Sequence, residues 1–423
     1  MGSGYTDDEP QTATEGYSSA RWTICAMLFA ATTINYMDRQ VIAILKPTIQ
    51  HSIGMSELAY GYVVDAFQFA YAAGLILAGR FVDRVGTRIS YMVVMAVWSL
   101  SAMGHALANT VLEFGFARFC LGIGESGNFP AAIKTVAEWF PQSERSLATG
   151  LFNSGANVGA VLAPLTVPFI AARFGWHAGF LITGVFSALW IVWWFFHYRP
   201  VAKSLAAAAA APKSAPSVPW LHLIGYRQTW AFAIGKFLTD PIWWFYLFWL
   251  PSFFATRYHL DLLHLGLPLI IVYNGSAVGS IGGGWLPVPF RKLGFSPAKA
   301  RLSAMLVCAC AVVPVFFINF THSEWAAIAL LSLAAGAHQG WSANIFSTVA
   351  DMFPGRAVGS VTGIGGMAGS VGGMLIATFA GYVLQVSHNN YASLFAIASS
   401  AYLLALAIIV LLAPGLRRVE LPA

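Results

Sequence analysis

The stretch EWFPQSERSLATGLFNSGANVG, residues 138–159, has a partner in DMFPGRAVGSVTGIGGMAGSVG, residues 351–372. The offset is 213 positions (351 − 138), which is half of the 423-residue chain. The identical residues at this offset are Phe140, Pro141, Thr149, Gly150, Val158 and Gly159, which recur as Phe353, Pro354, Thr362, Gly363, Val371 and Gly372. Gly and Pro match easily by chance, but an offset of half the chain favours a duplication. The sequence therefore predicts two halves with the same organisation.

Composition places both halves in a lipid bilayer. Hydrophobic residues make up 58% of the chain and charged residues only 9%, whereas a soluble domain carries about 25% charged residues. About 20 apolar residues form one helical span, and the segments that satisfy this rule are 22–45, 60–82, 88–108, 111–135, 146–172, 177–198, 228–256, 266–290, 299–320, 324–348, 358–386 and 391–414. The alternating ten-residue strands of a membrane barrel are not present. We predict an all-α membrane protein with twelve transmembrane helices in two pseudo-symmetric six-helix halves.

The positions of the basic residues indicate orientation rather than a nucleic-acid partner. The net charge is +6, with 23 Lys and Arg. Of these, 17 fall on the two tails and the even-numbered connections, while the others are Lys46, Arg173 and Arg257 on the opposite side and Arg39, Arg118 and Lys236 within spans. By the positive-inside rule, this bias predicts that both termini are cytoplasmic.

The predicted domains follow from these spans. Residues 1–19 are acidic and polar, lack the pattern of a cleavable signal, and are expected to form a disordered cytoplasmic tail. Residues 20–200 and 227–414 are the two six-helix halves. The Ala/Pro/Ser-rich stretch 201–226 is predicted to be a cytoplasmic linker, and residues 415–423 a cytoplasmic tail.

Four ionisable residues in the first half stand out because charges inside a bilayer are costly and usually functional. Asp38 and Arg39 are neighbours in INYMDRQ, residues 34–40. On a helix they point about 100° apart, so they need partners elsewhere. Arg118 and Glu125 lie two turns apart on one helix face and are the expected partners. In the second half, Lys236 and Asp240 have the spacing of a helical ion pair, so pairing with each other is as consistent with the pattern as contact with a ligand.

No metal or cofactor is expected. The four cysteines, Cys25, Cys120, Cys308 and Cys310, have no histidine at zinc spacing and are interpreted as packed thiols. The glycine pattern from Gly122 to Gly127 matches a dinucleotide fingerprint only formally, because that motif requires a preceding strand and a βαβ unit. No span carries a set of catalytic residues, so an enzyme is not expected.

The loop GRFVDRVGTR, Gly79 to Arg88, resembles the signature cytoplasmic loop of the major facilitator superfamily. The resemblance implies the major facilitator fold. It also implies that Asp83, with Arg84, Gly79 and Gly86, forms a latch that holds one conformation. An ordinary charged loop that sets orientation is the alternative interpretation.

INYMDRQ, the Arg118–Glu125 stretch and ERSLATGLFNSGANVGAVLAP together resemble the anion:cation symporter family of that superfamily. GKFLTDPIWWFYLFWLP and AAGAHQGWSANIFSTVADMFP are similar to bacterial hexuronate transporters. The resemblance implies that Asp38 and Glu125 carry protons, and that Arg39 and Arg118 engage these acids or a substrate carboxylate. It also implies that Tyr36 and Tyr71 line the cavity. Ala156 and Gly366 depart from the polar residues of a galactonate-type relative.

Residue type extends the predicted pocket, because a sugar acid needs hydrogen-bonding groups and an aromatic wall. The candidates are Asn153, Lys236, Trp244, His338, Gln339, Ser342 and Asn344. For each of them, a hydrogen bond between helices or aromatic packing is the competing interpretation.

The combined prediction is proton-coupled import of a sugar acid, most simply a hexuronate such as glucuronate or galacturonate, by alternating access. The alternatives are transport of an aldonate, dicarboxylate or aromatic acid, coupling to sodium, and a non-transporting sugar-acid sensor. The expected partners are the organic anion, protons and the lipid bilayer. We expect a multi-pass monomer in a bacterial inner membrane.

Overall fold

The computed structural model describes residues 11–140, 144–198 and 220–420. The first half contains α1 (Gln11–Ile53), α2 (Glu57–Val85), α3 (Thr87–Gly104), α4 (Val111–Ser126), α5 (Asn128–Trp139), α6 (Arg145–Phe174) and α7 (Trp176–His197). The second contains α8 (Trp220–Leu223), α9 (Arg227–Tyr258), α10 (Gly266–Trp285), α11 (Pro287–Lys292), α12 (Pro297–Val312), α13 (Glu324–Met352), α14 (Gly355–Val386) and α15 (Ala392–Leu412). Three short 3-10 turns cover His105–Leu107, Val313–Asn319 and Pro414–Leu416.

The helices follow the predicted segments closely. Seven are long and apolar enough to cross a membrane by length and composition: Thr87–Leu107, Ala148–Phe174, Trp176–His197, Gly266–Lys292, Pro297–Asn319, Ser360–Val386 and Ala392–Leu412. The fourth predicted span is divided into α4 and α5 at Gly127. Helix α1 begins at Gln11, inside the predicted tail, and residues 1–10 and most of the predicted linker lie outside the described residues.

The duplication is visible in matching contacts at the ends of helices. In the first half, the Thr87 hydroxyl at the start of α3 donates to the Glu138 carboxylate at the end of α5, at 2.7 Å. In the second half, Arg301 Nε near the start of α12 donates to Asp351 Oδ2 at the end of α13, at 3.0 Å. Glu138 and Asp351 are separated by the repeat offset of 213 positions (351 − 138). Equivalent helix ends are therefore tied together in both halves.

Glycines let the helices approach closely, as they must where lipid provides no hydrophobic drive for helix association. The clearest case is the contact between α10 and α13. A Cβ atom added to Gly279 would overlap the backbone of Gly336, and one added to Gly283 would overlap the backbone of Gly340. The outward-directed Gly282 has open space around its Cα.

The two halves join at one end of the molecule. The Tyr60 hydroxyl on α2 donates to the Phe248 carbonyl on α9 at 3.1 Å. The Leu58 amide donates to Gln385 Oε1 on α14 at 3.1 Å. We call this end, from residue 45 to residue 61 in the first half, the closed end.

A buried ion pair reinforces the closed end. Lys46 Nζ lies 2.6 Å from Glu57 Oε2, and the lysine side chain is fully buried. The same ammonium lies over the rings of Tyr60, at 4.5 Å, and Trp249, at 5.6 Å. The apolar segment predicts a span that ends at residue 45. In the structure, α1 continues past it to Ile53 and includes Lys46.

The halves part towards the opposite end. Gly61 and Gly79 lie on the same face of α2, because 18 residues are five helical turns. A Cβ atom on Gly61 would meet Ala377 of α14 at 2.8 Å, whereas no described atom lies within 4 Å of a Cβ added to Gly79. On α14, Gly366 lies on nearly the same face as Ala377 and also has open space beside it. We call this end the open end.

The Gly279 contact generates a stability prediction. Gly279→Ala introduces a methyl group against the Gly336 backbone, which forces α10 and α13 apart. We expect the melting temperature of the detergent-solubilised protein to fall by several degrees. Gly282→Ala is the matched control on the same helix, and it is expected to leave the melting temperature unchanged or to raise it, since alanine is the better helix former. Equal shifts for the two variants would contradict the close-approach interpretation.

Candidate functional site

The four ionisable residues of the first half lie in the protein interior. Asp38 and Arg39 on α1 are 2% and 3% exposed, and Arg118 and Glu125 on α4 are each 1% exposed. A buried charge is costly unless it is paired and hydrogen-bonded. The partners of each group therefore determine what the site can do.

Arg39 and Glu125 form a direct ion pair between α1 and α4. Arg39 Nε donates to Glu125 Oε2 at 2.6 Å. The guanidinium also lies over aromatic rings, with its carbon 4.6 Å from the centroid of Tyr71 and 5.2 Å from that of Tyr36. The two tyrosines predicted to line a cavity thus lie against the predicted arginine.

Asp38 faces away from this pair. Its Oδ2 atom accepts hydrogen bonds from Trp98 Nε1 on α3 at 2.5 Å and from Ser187 Oγ on α7 at 3.2 Å. The sequence pattern predicts arginine partners for Asp38. The structure provides neutral donors instead, because successive residues of α1 point towards different neighbouring helices.

Arg118 has hydrogen-bonding capacity left over. One terminal nitrogen donates to the backbone carbonyl of Arg39 at 3.3 Å. Its Nε and Nη1 atoms are buried and have no hydrogen-bond partner among the described residues, and neither does Glu125 Oε1. A guanidinium carries five N–H donors, so Arg118 has donors available for an anion.

The charged pair of the second half is self-neutralising. Lys236 Nζ lies 2.7 Å from Asp240 Oδ2, four residues further along α9. The ammonium also lies over the ring of Phe346, at 4.1 Å. On α14, Gly369 faces Asp240, and an added Cβ would overlap the carboxylate. The predicted helical pairing is therefore present, and it leaves little free charge on this side.

Two further candidates, His338 and Trp244, pack against other aromatic rings. The His338 ring stacks on Trp243 with centroids 5.2 Å apart, and its Nδ1 atom shares a hydrogen bond with the Tyr402 hydroxyl at 2.6 Å. Trp244 is half-buried and stacks on Phe248. Trp244 lies on α9, which packs against α1 of the first half.

The remaining polar candidates differ in placement. The Asn344 amide donates to the carbonyls of Gly283, at 2.7 Å, and Gly340, at 2.8 Å, so it ties α10 to α13. Gln339 and Ser342 are half-buried on α13, and Asn153 is exposed on α6. Helix-to-helix bonding is thus the observed role of Asn344, and the other three are not hydrogen-bonded into the cluster.

The loop between α2 and α3 turns at Gly86, whose φ of +85° suits glycine. The Gly86 amide ends α2 by donating to the Val82 carbonyl at 3.1 Å, and Lys134 Nζ on α5 donates to the same carbonyl at 2.9 Å. Arg84 is exposed, whereas the side chain of Asp83 lies outside the described part of the structure. The latch remains a prediction.

Sequence reasoning missed several groups that complete the site. Trp98 and Ser187 supply the hydrogen bonds of Asp38. Gln68 on α2 is fully buried, and both polar atoms of its amide lack a hydrogen-bond partner among the described residues. Each of these side chains lies in an apolar span, where the pattern alone gives no indication of which neighbour it meets.

Comparisons with known proteins agree with this architecture. The D-xylose-proton symporter has the same fold, with a TM-score of 0.74 at 17% identity, covering 95% of this chain and 99% of that chain. A bacterial homolog of the human lysosomal transporter Spinster, in an inward-facing and occupied conformation, gives a TM-score of 0.74 at 16% identity, covering 94% and 96%.

Related sequences are transporters rather than enzymes. The hexuronate transporter of Escherichia coli K12 is 27% identical over 391 residues, covering 89% of this chain and 90% of that protein. The galacturonate transporter of Dickeya chrysanthemi is 30% identical over 286 residues, covering 64% and 83%. Residues 28–377 match the model of the Major Facilitator Superfamily. The chain therefore belongs to the Major Facilitator Superfamily of membrane transporters.

Proposed function

We propose that the protein is a proton-coupled symporter that imports a sugar acid by alternating access, with a hexuronate such as glucuronate or galacturonate as its substrate. The observation that carries the proposal is the buried Arg39–Glu125 ion pair beside Arg118, which has spare N–H donors. The names of the related transporters support the substrate class.

The charge balance of the site explains how a proton and an anion are taken up together. With Asp38 and Glu125 ionised, their two negative charges balance those of Arg39 and Arg118. Adding one proton to Glu125 leaves a net charge of +1 in a buried site. An incoming carboxylate restores neutrality, so binding of the proton favours binding of the anion.

Arginine suits the carboxylate of the substrate for a geometric reason. A planar guanidinium binds a carboxylate with two parallel hydrogen bonds. Arg118 offers its free Nε and Nη1 atoms, and Arg39 becomes available once Glu125 is neutral. Tyr36 and Tyr71 pack against Arg39 and provide a flat apolar wall for the sugar ring.

Alternating access requires that the two ends of the molecule open in turn. We assign twelve spans with both termini cytoplasmic, which makes the open end cytoplasmic and the closed end external. Release of the Tyr60, Leu58 and Lys46 contacts then opens the site to the outside. Latch contacts around Gly79–Gly86 hold the cytoplasmic end shut in that state. The protein is assigned to a bacterial inner membrane as a monomer.

Uptake by purified protein in liposomes tests the function directly. We expect labelled glucuronate to accumulate when an inward proton gradient is imposed, and excess galacturonate to compete. Collapsing the proton gradient should abolish accumulation, whereas collapsing a sodium gradient should have no effect. The reverse pattern would indicate sodium coupling. Binding without any accumulation would indicate a sensor, and accumulation of only aldonates, dicarboxylates or aromatic acids would replace the hexuronate assignment.

Glu125→Gln tests the proton switch. Because the amide is neutral, the variant resembles the protonated site, and Arg39 remains free to bind the carboxylate. We expect gradient-driven accumulation to be lost while exchange of internal for external glucuronate continues. Glu113→Gln, on the exposed first turn of the same helix, is the control and should accumulate normally because glutamine also completes the helix cap. Normal accumulation by Glu125→Gln would remove Glu125 from the coupling.

Arg39→Lys tests the need for a guanidinium rather than a positive charge. Lysine keeps the charge but loses the planar contact with Tyr71 and the two-pronged hydrogen-bonding geometry. We expect kcat/KM for glucuronate to fall at least about tenfold, equivalent to about 1.4 kcal/mol. Arg173→Lys at an exposed position is the control, with wild-type transport expected. Equal activity of the two variants would mean that charge alone suffices at position 39.

A further inference from the structure

Gln68 is a buried amide that the described protein does not satisfy. It lies on α2 with no exposed surface, and neither Nε2 nor Oε1 has a hydrogen-bond partner among the described residues. Leaving a buried amide without partners is costly. Gln40, the fully buried glutamine of α1, donates its amide to the Ala160 carbonyl at 3.3 Å, although its Oε1 atom has no partner among the described residues. Gln68 differs because neither end of its amide is hydrogen-bonded to a described residue.

The amide lies where the two halves meet. A Cβ atom added to Gly373 on α14 would be 3.1 Å from Gln68 Nε2 and 3.1 Å from Trp244 Nε1. The two nitrogens are therefore at most about 6 Å apart (3.1 + 3.1), close enough for both to reach neighbouring hydroxyl groups of one sugar ring. Glycine at position 373 is what allows the amide of one half to approach the indole of the other.

Its depth matches that of the charged cluster. Gln68 is 11 residues from the start of α2, or about 16 Å from the closed end at 1.5 Å per residue. By the same measure, Arg118 and Glu125 are about 10 and 21 Å along α4 from the same end. Phe67, the preceding residue, lies against the guanidinium groups of both arginines, at 5.3 Å from Arg39 and 5.6 Å from Arg118. Gln68 is thus beside the anion site and on its side towards the second half.

We propose that Gln68 and Trp244 form a subsite that binds hydroxyl groups of the substrate ring, while its carboxylate binds the arginines. The inference rests on the proposed function and names the part of the site that recognises a polyhydroxylated acid. An amide offers a donor and an acceptor at once, which matches two neighbouring hydroxyl groups. Trp244 adds a second donor from the opposite half.

The subsite also explains why the amide is tolerated without a partner. Gln68 is buried in this conformation, as are Arg118 and Glu125. One helical turn nearer the closed end, the Thr378 hydroxyl on α14 donates to Asp65, which holds α2 and α14 together. A substrate held by Gln68 and Trp244 bridges the same two halves.

Two test acids with the same ring and carboxylate, one with hydroxyl groups and one without, distinguish hydroxyl recognition from carboxylate binding. Glucuronate has a hydroxylated ring, and tetrahydropyran-2-carboxylate has the ring and the carboxylate without the hydroxyl groups. The experiment measures the KM for glucuronate uptake and the inhibition constant of tetrahydropyran-2-carboxylate in liposomes that contain the full chain. For Gln68→Leu we expect the KM of glucuronate to rise about tenfold, and the inhibition constant of the deoxygenated acid to change less than about twofold.

Gln40→Leu is the matched control, since it removes an equally buried amide that bonds between helices. It is expected to lower the melting temperature and to leave the ratio of the two constants unchanged. Trp244→Phe keeps an aromatic ring, although a smaller one, and removes the N–H donor, and it should raise the KM of glucuronate selectively if Gln68→Leu fails to fold.

The outcomes distinguish this inference from the function on which it rests. Wild-type protein that neither binds nor transports glucuronate would overturn the proposed substrate and the subsite together. Wild-type transport, combined with equal shifts of both constants or no shift in Gln68→Leu and Trp244→Phe, would overturn the subsite alone. A selective loss for glucuronate in either variant supports it.

Discussion

The ion pair between Arg39 and Glu125 is the interaction on which the arrangement of the first half depends. Both groups are buried, so losing either partner leaves an uncompensated charge at a cost of about 3–5 kcal/mol. The pair therefore fixes the rotation of α1 against α4. Once Arg39 faces α4, its neighbour Asp38 has to face elsewhere, and it reaches α3 and α7. Arg118 lies two turns from Glu125 on the same helix and forms no salt bridge among the described residues.

Small residues make this pair possible. The hydrophobic effect contributes little to helix association within lipid. Close packing of the backbones and interhelical hydrogen bonds therefore have to stabilise the contacts between helices. Gly122 on α4 packs on the Phe67 carbonyl of α2, and Gly155 and Gly159 on α6 pack on α1 near Thr33. A side chain at any of these glycines would push α1, α2 or α6 away from the cluster. The glycine-rich repeat quoted at the outset thus supports the site through packing, although its side chains make no contact with a charge.

The fold follows from the sequence to a large extent because apolar length is a strong signal. The long helices lie where the apolar segments predict them, and the superfamily assignment is confirmed by the match over residues 28–377. The end of α1 differs from the prediction. The apolar segment ends at residue 45, whereas α1 continues to Ile53 and carries Lys46, which pairs with Glu57 at the start of α2.

The site is less predictable because hydropathy does not determine how a helix is rotated. The pairing of Arg39 with Glu125 was expected from the excess of intramembrane charge, and Lys236 with Asp240 from their spacing. The hydrogen-bond donors of Asp38 were not expected, since Trp98 and Ser187 are ordinary residues of apolar spans. Asn344 was a candidate for substrate binding because it is polar. In the structure, its amide instead donates hydrogen bonds to the carbonyls of two glycines. Whether a polar side chain is hydrogen-bonded within the protein depends on how closely the helix backbones approach, and only the packed structure shows this.

The two halves differ in a way that bears on coupling. In the first half, α1 and α4 each carry one acid and one arginine, and the Arg39–Glu125 pair joins the two helices, so a change of charge there alters how those helices attract one another. In the second half, Lys236 and Asp240 neutralise each other on a single helix, and their pairing pulls no helices together. Under the proposed proton coupling, protonation of Glu125 acts on the first half, and its effect has to reach the second half through the surfaces where the two halves meet. The α2–α14 contact is such a surface, because Phe67 touches both arginines while the next residue, Gln68, lies against Gly373. One turn of α2 thus connects the charge cluster to the opposite half.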